Sequence, residues 1–266
     1  MRIGAVSYLN TKPLIEFWQG EADDQLVLDL PSRLADRLKN GELDLGLIPA
    51  VKVFQEPDFV IVPNACIACA GPVWSVKLMS RVPMEQIQTL SLDEGSRTSA
   101  VLSQVLLYHL HQLRPEKSPL PIDQDWTTVD TDAVVVIGDR AMDAHDPEFP
   151  YEWDLGERWN QWTGQPFVFA VWATHREIAE KQADKLSQVQ RQLNAARDKG
   201  QQHLSDIARR YAPQYGLTFE SCQKYLSYYL NFDFGAPQRQ ALEHFQQLAT
   251  ELAFAPQQRE LTYHEC

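Results

Sequence analysis

The sequence predicts an α/β fold with a mostly parallel sheet, a helical C-terminal part and a ligand cleft where strands end. In the first two thirds of the chain, short apolar runs alternate with amphipathic segments, which is typical of right-handed βαβ units. From Arg176 onwards, apolar and aromatic residues recur at helical spacing in a Gln-, Ala- and Leu-rich background. With 266 residues, of which 44% are hydrophobic and 23% charged, the chain can bury a substantial core.

The N-terminal part contains residues that typically start and end the helices of strand–helix–strand units. Pro31 suits the first turn of a helix, because the N–H that proline lacks has no partner there. Gly41 follows the last apolar residue of that helix, where glycine commonly ends one. The predicted elements are strands at residues 2–7, 26–30 and 43–49, and helices at 13–20 and from 31 to before 41.

The middle of the chain contains one long amphipathic helix and two buried strands. Residues 101, 102, 105, 106, 110 and 113 are all Val or Leu at helical spacing, directly after the strand at 89–92. The β-branched run at 133–138 and the apolar run at 167–172 predict buried strands. After residue 176 we predict three or four helices, with breaks near Gly200, Pro213–Gly216 and Gly235–Pro237. No flexible linker is present, so any domain boundary must be a crossing of strands.

Composition argues against several classes of function. The formal net charge is −12 and there is no run of Lys and Arg, so neither a nucleic-acid surface nor a membrane-binding patch is expected. No segment has the length and apolarity of a membrane span, and the N-terminus lacks the pattern of a secretory signal. We therefore expect a cytoplasmic protein.

The four cysteines are interpreted as small hydrophobic residues. Cys66 and Cys69 form a C-x-x-C sequence, but residues i and i+3 of a strand point to opposite faces, so the thiols should not converge. Cys222 and Cys266 add no second pair at metal-ligand spacing. We expect no metal site and no redox role.

Three polar clusters follow predicted strands, at residues 7–12, 71–75 and 96–99, and open α/β sheets bind ligands at such positions. The cluster at 96–99 combines free amides at a helix start, three hydroxyls and the Arg97 guanidinium, which suits a carboxylate or phosphate. Ser96 could equally serve only as the helix cap. Because the net charge repels anions, attraction has to come from such local donors.

The remaining candidates each have an ordinary structural explanation. Asn10 could be a polar turn residue, Ser75 a buried hydroxyl with a partner, and Asp139 a cap of the helix after its strand. His109 and His111 are two residues apart on a helix and do not share a face. The common nucleotide-binding and hydrolase motifs are absent. The residues alone therefore predict an α/β protein with a cleft for a small anion.

The same clusters carry a resemblance to a known family. Residues 2–14, RIGAVSYLNTKPL, closely resemble the opening of the chorismate dehydratases of the futalosine route to menaquinone. The similarity spans nearly the whole chain, because it continues at residues 41–49, 66–68, 71–76, 96–99, 137–139, 154–156, 159 and 162–172, and more loosely at 225–230. Cys69 departs from the pattern, since a small hydroxyl residue is expected there.

The resemblance implies a two-lobed fold like that of type II periplasmic binding proteins. One lobe would comprise residues 1–80 plus 167–266, with the C-terminal helices, and the other residues 81–166. The chain would cross between the lobes near 75–80 and 167–174. No metal or organic cofactor is implied, and the protein would be a monomer or homodimer acting on chorismate alone.

The resemblance also implies roles for individual residues. Asn10 and Ser75 would take part in catalysis, with Asp139 or the substrate's own enolpyruvyl carboxylate as the base. The residues implied in substrate binding are Ser7, Tyr8, Ser96, Arg97, Thr98, Ser99 and Asp139.

Three alternatives stay open at this point. A binding protein for carboxylates or oxyanions would use the same cleft without chemistry. The ligand-sensing part of a transcriptional regulator would need a helix-turn-helix segment, and none is found. The sister enzyme that makes 1,4-dihydroxy-6-naphthoate shares the fold, but the sequence at 7–10, Ser-Tyr-Leu-Asn, favours the dehydratase branch.

Overall fold

The structure is a computed structural model that describes residues 1–257 and 260–264. Its strands form two sheets. In chain order they are β1 (Arg2–Val6), β2 (Gln25–Asp29), β3 (Leu45–Pro49), β4 (Phe59–Cys69), β5 (Val76–Ser80), β6 (Thr89–Asp93), β7 (Glu116–Leu120), β8 (Ala133–Ile137), β9 (Tyr151–Asp154), β10 (Phe167–His175) and β11 (Asn231–Phe234).

The helices cover the sheets and form most of the C-terminal part. They are α1 (Lys12–Ile15), α2 (Pro31–Lys39), α3 (Ala50–Gln55), α4 (Arg97–His111), α5 (Asp139–Met142), α6 (Leu155–Thr163), α7 (Arg176–Lys181), α8 (Ala183–Gln202), α9 (Leu204–Tyr211), α10 (Phe219–Lys224) and α11 (Ala236–Glu251). A π-helical turn, Tyr225–Tyr229, follows α10 directly.

The two sheets have mixed pairing. The six-stranded sheet has the order β11-β4-β10-β3-β1-β2, and the five-stranded sheet has the order β7-β6-β8-β5-β9. β1 is parallel to β2 and β3, and β6 is parallel to β7 and β8. β4, β5 and β10 pair antiparallel with each of their neighbouring strands, and Ile61 of β4 also forms an isolated parallel bridge with Tyr263. The expectation of mostly parallel sheets is therefore wrong: β5 and β10, the strands that follow the two crossings between the sheets, run antiparallel to β8 and β3 of the βαβ units.

The chain changes sheet twice. It leaves the six-stranded sheet at Cys69, the end of β4, and enters the five-stranded sheet at Val76, the start of β5. It returns between α6 and β10, at residues 164–166. The first change lies a few residues before the predicted lobe boundary at 80, because β5 pairs with β8 and β9.

The C-terminal helices differ from the prediction in number. The described residues contain five α-helices after residue 175, α7 to α11, and not three or four. The predicted break near Gly200 falls at His203, between α8 and α9, and Gly200 itself lies in the last turn of α8. A Cβ at Gly200 would lie 1.9 Å from the carbonyl oxygen of Pro13, so glycine is needed here for the close approach of α8 to α1.

One large apolar cluster contains buried residues of both sheets, and a smaller cluster lies against the five-stranded sheet around Trp126 and Phe149. Trp159 is completely buried against Phe167 and Phe245, as a core residue should be.

The described cysteines are buried free thiols. Burial raises the pKa of Cys66 and raises that of Cys69 to about 12, so both stay protonated. Cys222 is also buried and free, whereas Cys266 lies outside the described residues. Across residues 1–257 and 260–264, no three His, Cys, Asp or Glu side chains lie together as metal ligands. Within the same ranges, no helix combines the length and apolarity that a bilayer crossing requires.

Candidate functional site

The candidate site is a cavity between the two sheets, where strands β1, β3 and β8 end. It is open to solvent on one side, and the empty space within it, open solvent included, is about 520 Å³. It is lined by Val6, Tyr8, Asn10, Pro31, Pro49, Ile67, Val73, Ser75, Val76, Ser96, Ser99, Ile137, Gly138, Phe169, Ala170 and Leu230.

Two helix starts supply positive potential to this cavity. α2 begins at Pro31 and α4 is capped by Ser96, and both residues line the cavity. Neither helix has an acidic residue in its first turn, so the partial positive charge of the unpaired amides is not neutralised. Within the described chain, no Lys, Arg, Asp or Glu lines the cavity. Attraction for an anion here therefore comes from amide dipoles and hydroxyls.

At the start of α4, Ser96 both caps the helix and faces the cavity. Its Oγ accepts a hydrogen bond from the Ser99 amide at 3.2 Å and donates one to the Ser99 hydroxyl oxygen at 2.9 Å. Both residues line the cavity. Ser96 can thus cap the helix and face a ligand in the same conformation.

The other two residues of this cluster hold the helix start in place. The Arg97 guanidinium donates to both carboxylate oxygens of Asp36 on α2, at 2.8 and 2.6 Å, and lowers the pKa of that carboxyl. Thr98 is completely buried, and its Oγ1 accepts from the Val51 amide of α3 at 3.3 Å. Neither Arg97 nor Thr98 is among the cavity-lining residues.

Asn10 and Ser75 meet at a buried tyrosine that sequence reasoning did not single out. The Tyr225 hydroxyl donates to Ser75 Oγ at 2.9 Å, and a side-chain hydrogen bond also joins Tyr225 to Asn10. Tyr225 is 1% exposed, and burial raises the pKa of its hydroxyl despite these bonds, so it remains a neutral donor. The only sequence signal for this residue was the loose similarity at 225–230.

Tyr8 connects the two sheets at the cavity wall. Its ring lies against Gly138, where a Cβ would be 3.3 Å from the ring, and its hydroxyl lies against Gly95, where a Cβ would be 3.1 Å away. Gly138 also has a φ of +67°, which favours glycine. Burial, and then the charge of Asp93, raise the pKa of Tyr8 to about 12. The Ser7 carbonyl oxygen accepts from the Tyr215 hydroxyl at 3.2 Å, and Ser7 is not a lining residue.

Asp139 follows Gly138 as the first residue of α5, and its Oδ1 is buried without a hydrogen-bond partner in the described structure. Burial raises the pKa of this carboxyl to about 6. The neighbouring Arg140 does not neutralise it, because that guanidinium donates to Asp93 Oδ2 at 2.5 Å. Burial raises the pKa of both Tyr215 and Tyr225, and the negative charge of Asp139 adds to the rise in each case.

Together, the two mixed sheets, the two chain crossings and the cavity between them define a two-lobed α/β protein of the periplasmic-binding-protein fold. Solved structures with this fold include protein AF1704 from Archaeoglobus fulgidus, with a TM-score of 0.75 and 14% identity over 95% of this chain and 97% of that one. The periplasmic aliphatic sulphonate binding protein SsuA from Escherichia coli has a TM-score of 0.63 and 15% identity, over 97% and 94% of the two chains. The predicted fold class is confirmed.

The sequence comparison identifies the family. The chain belongs to the menaquinone biosynthesis family, whose model matches residues 1–251. It is 28% identical, over 274 aligned positions and 96% of each chain, to the chorismate dehydratase of Thermus thermophilus. The family predicted from the sequence motifs is confirmed.

Proposed function

We propose that this protein removes water from chorismate to give 3-[(1-carboxyvinyl)oxy]benzoate, a hydro-lyase step in menaquinone biosynthesis. The observation that carries the proposal is the cavity in which Asn10, Ser75 and the start of α4 converge. Membership of the menaquinone biosynthesis family and the similarity to a chorismate dehydratase over nearly the whole chain support it.

The cavity has the chemistry that a cyclic dicarboxylate requires. The Ser99 hydroxyl and the unpaired amides in the first turn of α4 can hold one carboxylate, with each charge-assisted hydrogen bond contributing about 1.5–3 kcal/mol. Tyr8 lies at the cavity wall and closes this polar half, while Arg97 and Thr98 hold the start of α4 from behind. Ser7 acts through its backbone, because its carbonyl oxygen accepts a hydrogen bond from the Tyr215 hydroxyl. The ring packs against the apolar half of the lining, which includes Val6, Ile67 and Phe169.

In the reaction, the ring carbon that bears the enolpyruvyl ether loses a proton and the adjacent carbon loses its hydroxyl, so that one water departs and the ring becomes aromatic. Aromatisation supplies a large driving force, and the site has to orient the substrate and stabilise developing charge. The Asn10 amide donates to charge that develops on the ring-carboxylate side. Ser75 positions the enolpyruvyl group or the departing hydroxyl.

Two carboxylates are candidates for the proton acceptor. One is Asp139, whose pKa of about 6 leaves it ionised and basic at neutral pH. The other is the enolpyruvyl carboxylate of the substrate itself, which is part of the reacting molecule and needs no further positioning.

We also propose that the protein works in the cytoplasm as a monomer or homodimer, with lobes comprising residues 1–80 plus 167–266 and residues 81–166. The buried free thiols of Cys66, Cys69 and Cys222 support a reducing compartment. The division of the strands between the two sheets supports the lobe boundaries to within a few residues.

The decisive test is incubation of the purified protein with chorismate, followed by absorbance and mass spectrometry. We expect an aromatic product lighter than chorismate by one water. Recovery of unchanged chorismate after prolonged incubation would overturn the proposed reaction, and chorismate binding without turnover would favour the carboxylate-binding alternative.

Replacing Asn10 with Ala tests the catalytic role of its amide. Loss of one donor to a developing charge costs about 10²–10³-fold in kcat, and we expect a loss of this size with an unchanged fold. Asn194→Ala on α8, outside the cavity lining, is the matched control and should behave as wild type. Wild-type kcat in Asn10→Ala would remove this residue from the mechanism.

A further inference from the structure

The loop that carries Ser75 into the cavity has an unusual backbone. It joins β4 to β5 and is the first crossing between the sheets. Trp74, directly before Ser75, has a φ of +65°, which is rare for a bulky residue and costs free energy unless neighbouring contacts hold it. The indole ring stacks on Tyr229 and meets Tyr225 edge-on, with centroids 5.8 and 5.7 Å apart.

Asp154, at the end of β9, binds the backbone of this loop. Its carboxylate accepts from the Val73 amide at 3.0 Å and from the Trp74 amide at 2.6 Å. The same carboxylate caps α6 by accepting from the Glu157 amide at 3.0 Å. A helix cap needs only one of these bonds. The two bonds to the loop are additional, and they fasten the residues that precede Ser75.

Gly156 provides a second, independent contact between the start of α6 and the loop. A Cβ at this position would lie 2.6 Å from Cys69 Sγ, 2.8 Å from the Gly71 carbonyl oxygen and 3.1 Å from Val73 Cβ. Only glycine therefore lets α6 approach closely enough for Asp154 to reach the loop amides.

The position of Ser75 depends on the conformation of this loop. Its amide donates to the Val73 carbonyl oxygen at 2.8 Å, and its carbonyl oxygen accepts from the Gly138 amide at 2.8 Å. Its side chain accepts from Tyr225 and lines the cavity. A shift of the Val73–Trp74 peptide would thus move the Ser75 hydroxyl relative to a bound substrate.

We propose that Asp154 is a positioning residue, whose carboxylate fixes the loop so that the Ser75 hydroxyl faces the reacting part of the substrate. Gly156 permits this contact. The inference rests on the proposed function, because it takes Ser75 to act on chorismate. It assigns a task to the Asp-Leu-Gly sequence at 154–156, which neither lines the cavity nor takes part in the chemistry.

Asp154→Ser separates the two tasks of this carboxylate. Serine at the N-cap keeps the bond to the Glu157 amide, but its single short oxygen does not reach the loop amides. A misplacement of about 1 Å costs on the order of 10²-fold in rate. We expect kcat to fall between about 10- and 100-fold with KM within about threefold of wild type. Gly156→Ala, which keeps the carboxylate but displaces the loop, should give the same pattern.

A double-mutant cycle with Ser75→Ala distinguishes positioning from general stabilisation. If Asp154 acts through Ser75, adding Asp154→Ser to Ser75→Ala should lower kcat by less than about twofold. A full further loss in the double variant would overturn the inference, as would wild-type kcat in Asp154→Ser. Gly156→Ala decides the question if Asp154→Ser does not fold.

Asp125→Ser is the matched control. Asp125 caps a short 3₁₀-helix, Trp126–Thr128, by accepting from the Thr127 amide at 3.0 Å, away from the cavity lining. Its kcat should equal that of wild type. If the wild-type protein does not convert chorismate, the proposed function is wrong. If the wild-type protein converts chorismate and Asp154→Ser has the same kcat, only this inference is wrong.

Discussion

Tyr225→Phe removes one oxygen atom from the centre of the candidate site. The tyrosine is 1% exposed, and its hydroxyl donates to Ser75 Oγ at 2.9 Å. Ser75 is 2% exposed, so its oxygen would lose this donor without gaining free access to water. A buried polar group left without its partner costs about 1–3 kcal/mol. A loss of about 2 kcal/mol should lower Tm by about 4–8 °C in a protein of this size.

The same change should slow turnover. The hydroxyl also bonds to Asn10, so its removal frees both residues that we propose act on the substrate. We expect kcat to fall about tenfold or more, equivalent to about 1.4 kcal/mol of transition-state stabilisation. Thermal unfolding and steady-state turnover of chorismate measure the two effects.

Tyr211→Phe is the control for this variant. Its hydroxyl donates to Glu16 at 2.6 Å, outside the cavity lining, so its loss should leave kcat unchanged. Wild-type Tm and wild-type kcat in Tyr225→Phe would refute the reasoning, because the hydroxyl would then neither stabilise nor orient its neighbours.

Two further substitutions test charged residues near the site. Asp139→Asn should gain stability over wild type as pH rises from about 4 to 6. The Asp139 carboxyl has a pKa of about 6 when folded and 3.8 as its ordinary value, so its ionisation opposes folding. Above pH 6, we expect the free energy of urea unfolding of the variant to exceed that of wild type by about 1–3 kcal/mol. Parallel curves of unfolding free energy against pH would contradict this prediction. A loss of kcat above about 10²-fold in the same variant would identify Asp139 as the proton acceptor. Arg97→Gln breaks a partly exposed ion pair with Asp36 and should lower the free energy of unfolding by about 0–1 kcal/mol. It should change kcat less than about threefold, and Asp36→Asn should behave in the same way. A loss of kcat above about 10²-fold in Arg97→Gln alone would mean that the guanidinium contacts the substrate.

Local sequence signals predicted the elements that build the cavity. The apolar runs of β1, β3 and β8 and the proline at the start of α2 fall where expected, and α4 begins directly after Ser96. These elements have strong periodicity and clear caps, which act over only a few residues.

Elements defined by tertiary contacts were missed. β7 contains Pro119 and is not among the predicted strands; it is an edge strand, where a missing N–H is tolerated. The antiparallel pairing of β10 with β3 and β4 follows from the crossings between the sheets, which no local pattern encodes.

Tertiary contacts also limit how much of the site the sequence can predict. Asn10, Ser75, Ser96 and Ser99 follow strands or open helices, and their positions could be predicted from the sequence. Tyr225 bonds to Ser75 across 150 residues of chain, and only the fold brings them together. The pairing of Arg97 with Asp36 likewise depends on how α4 packs against α2.

A crystal structure of the slow Asn10→Ala variant with chorismate tests the central claim, that a carboxylate is bound at the start of α4 without a cation beside it. We expect one carboxylate of the substrate within about 2.7–3.2 Å of the Ser96 or Ser99 hydroxyls and the neighbouring amides. Chorismate bound with both carboxylates away from this helix start, or paired with Arg97 in place of Asp36, would contradict the account.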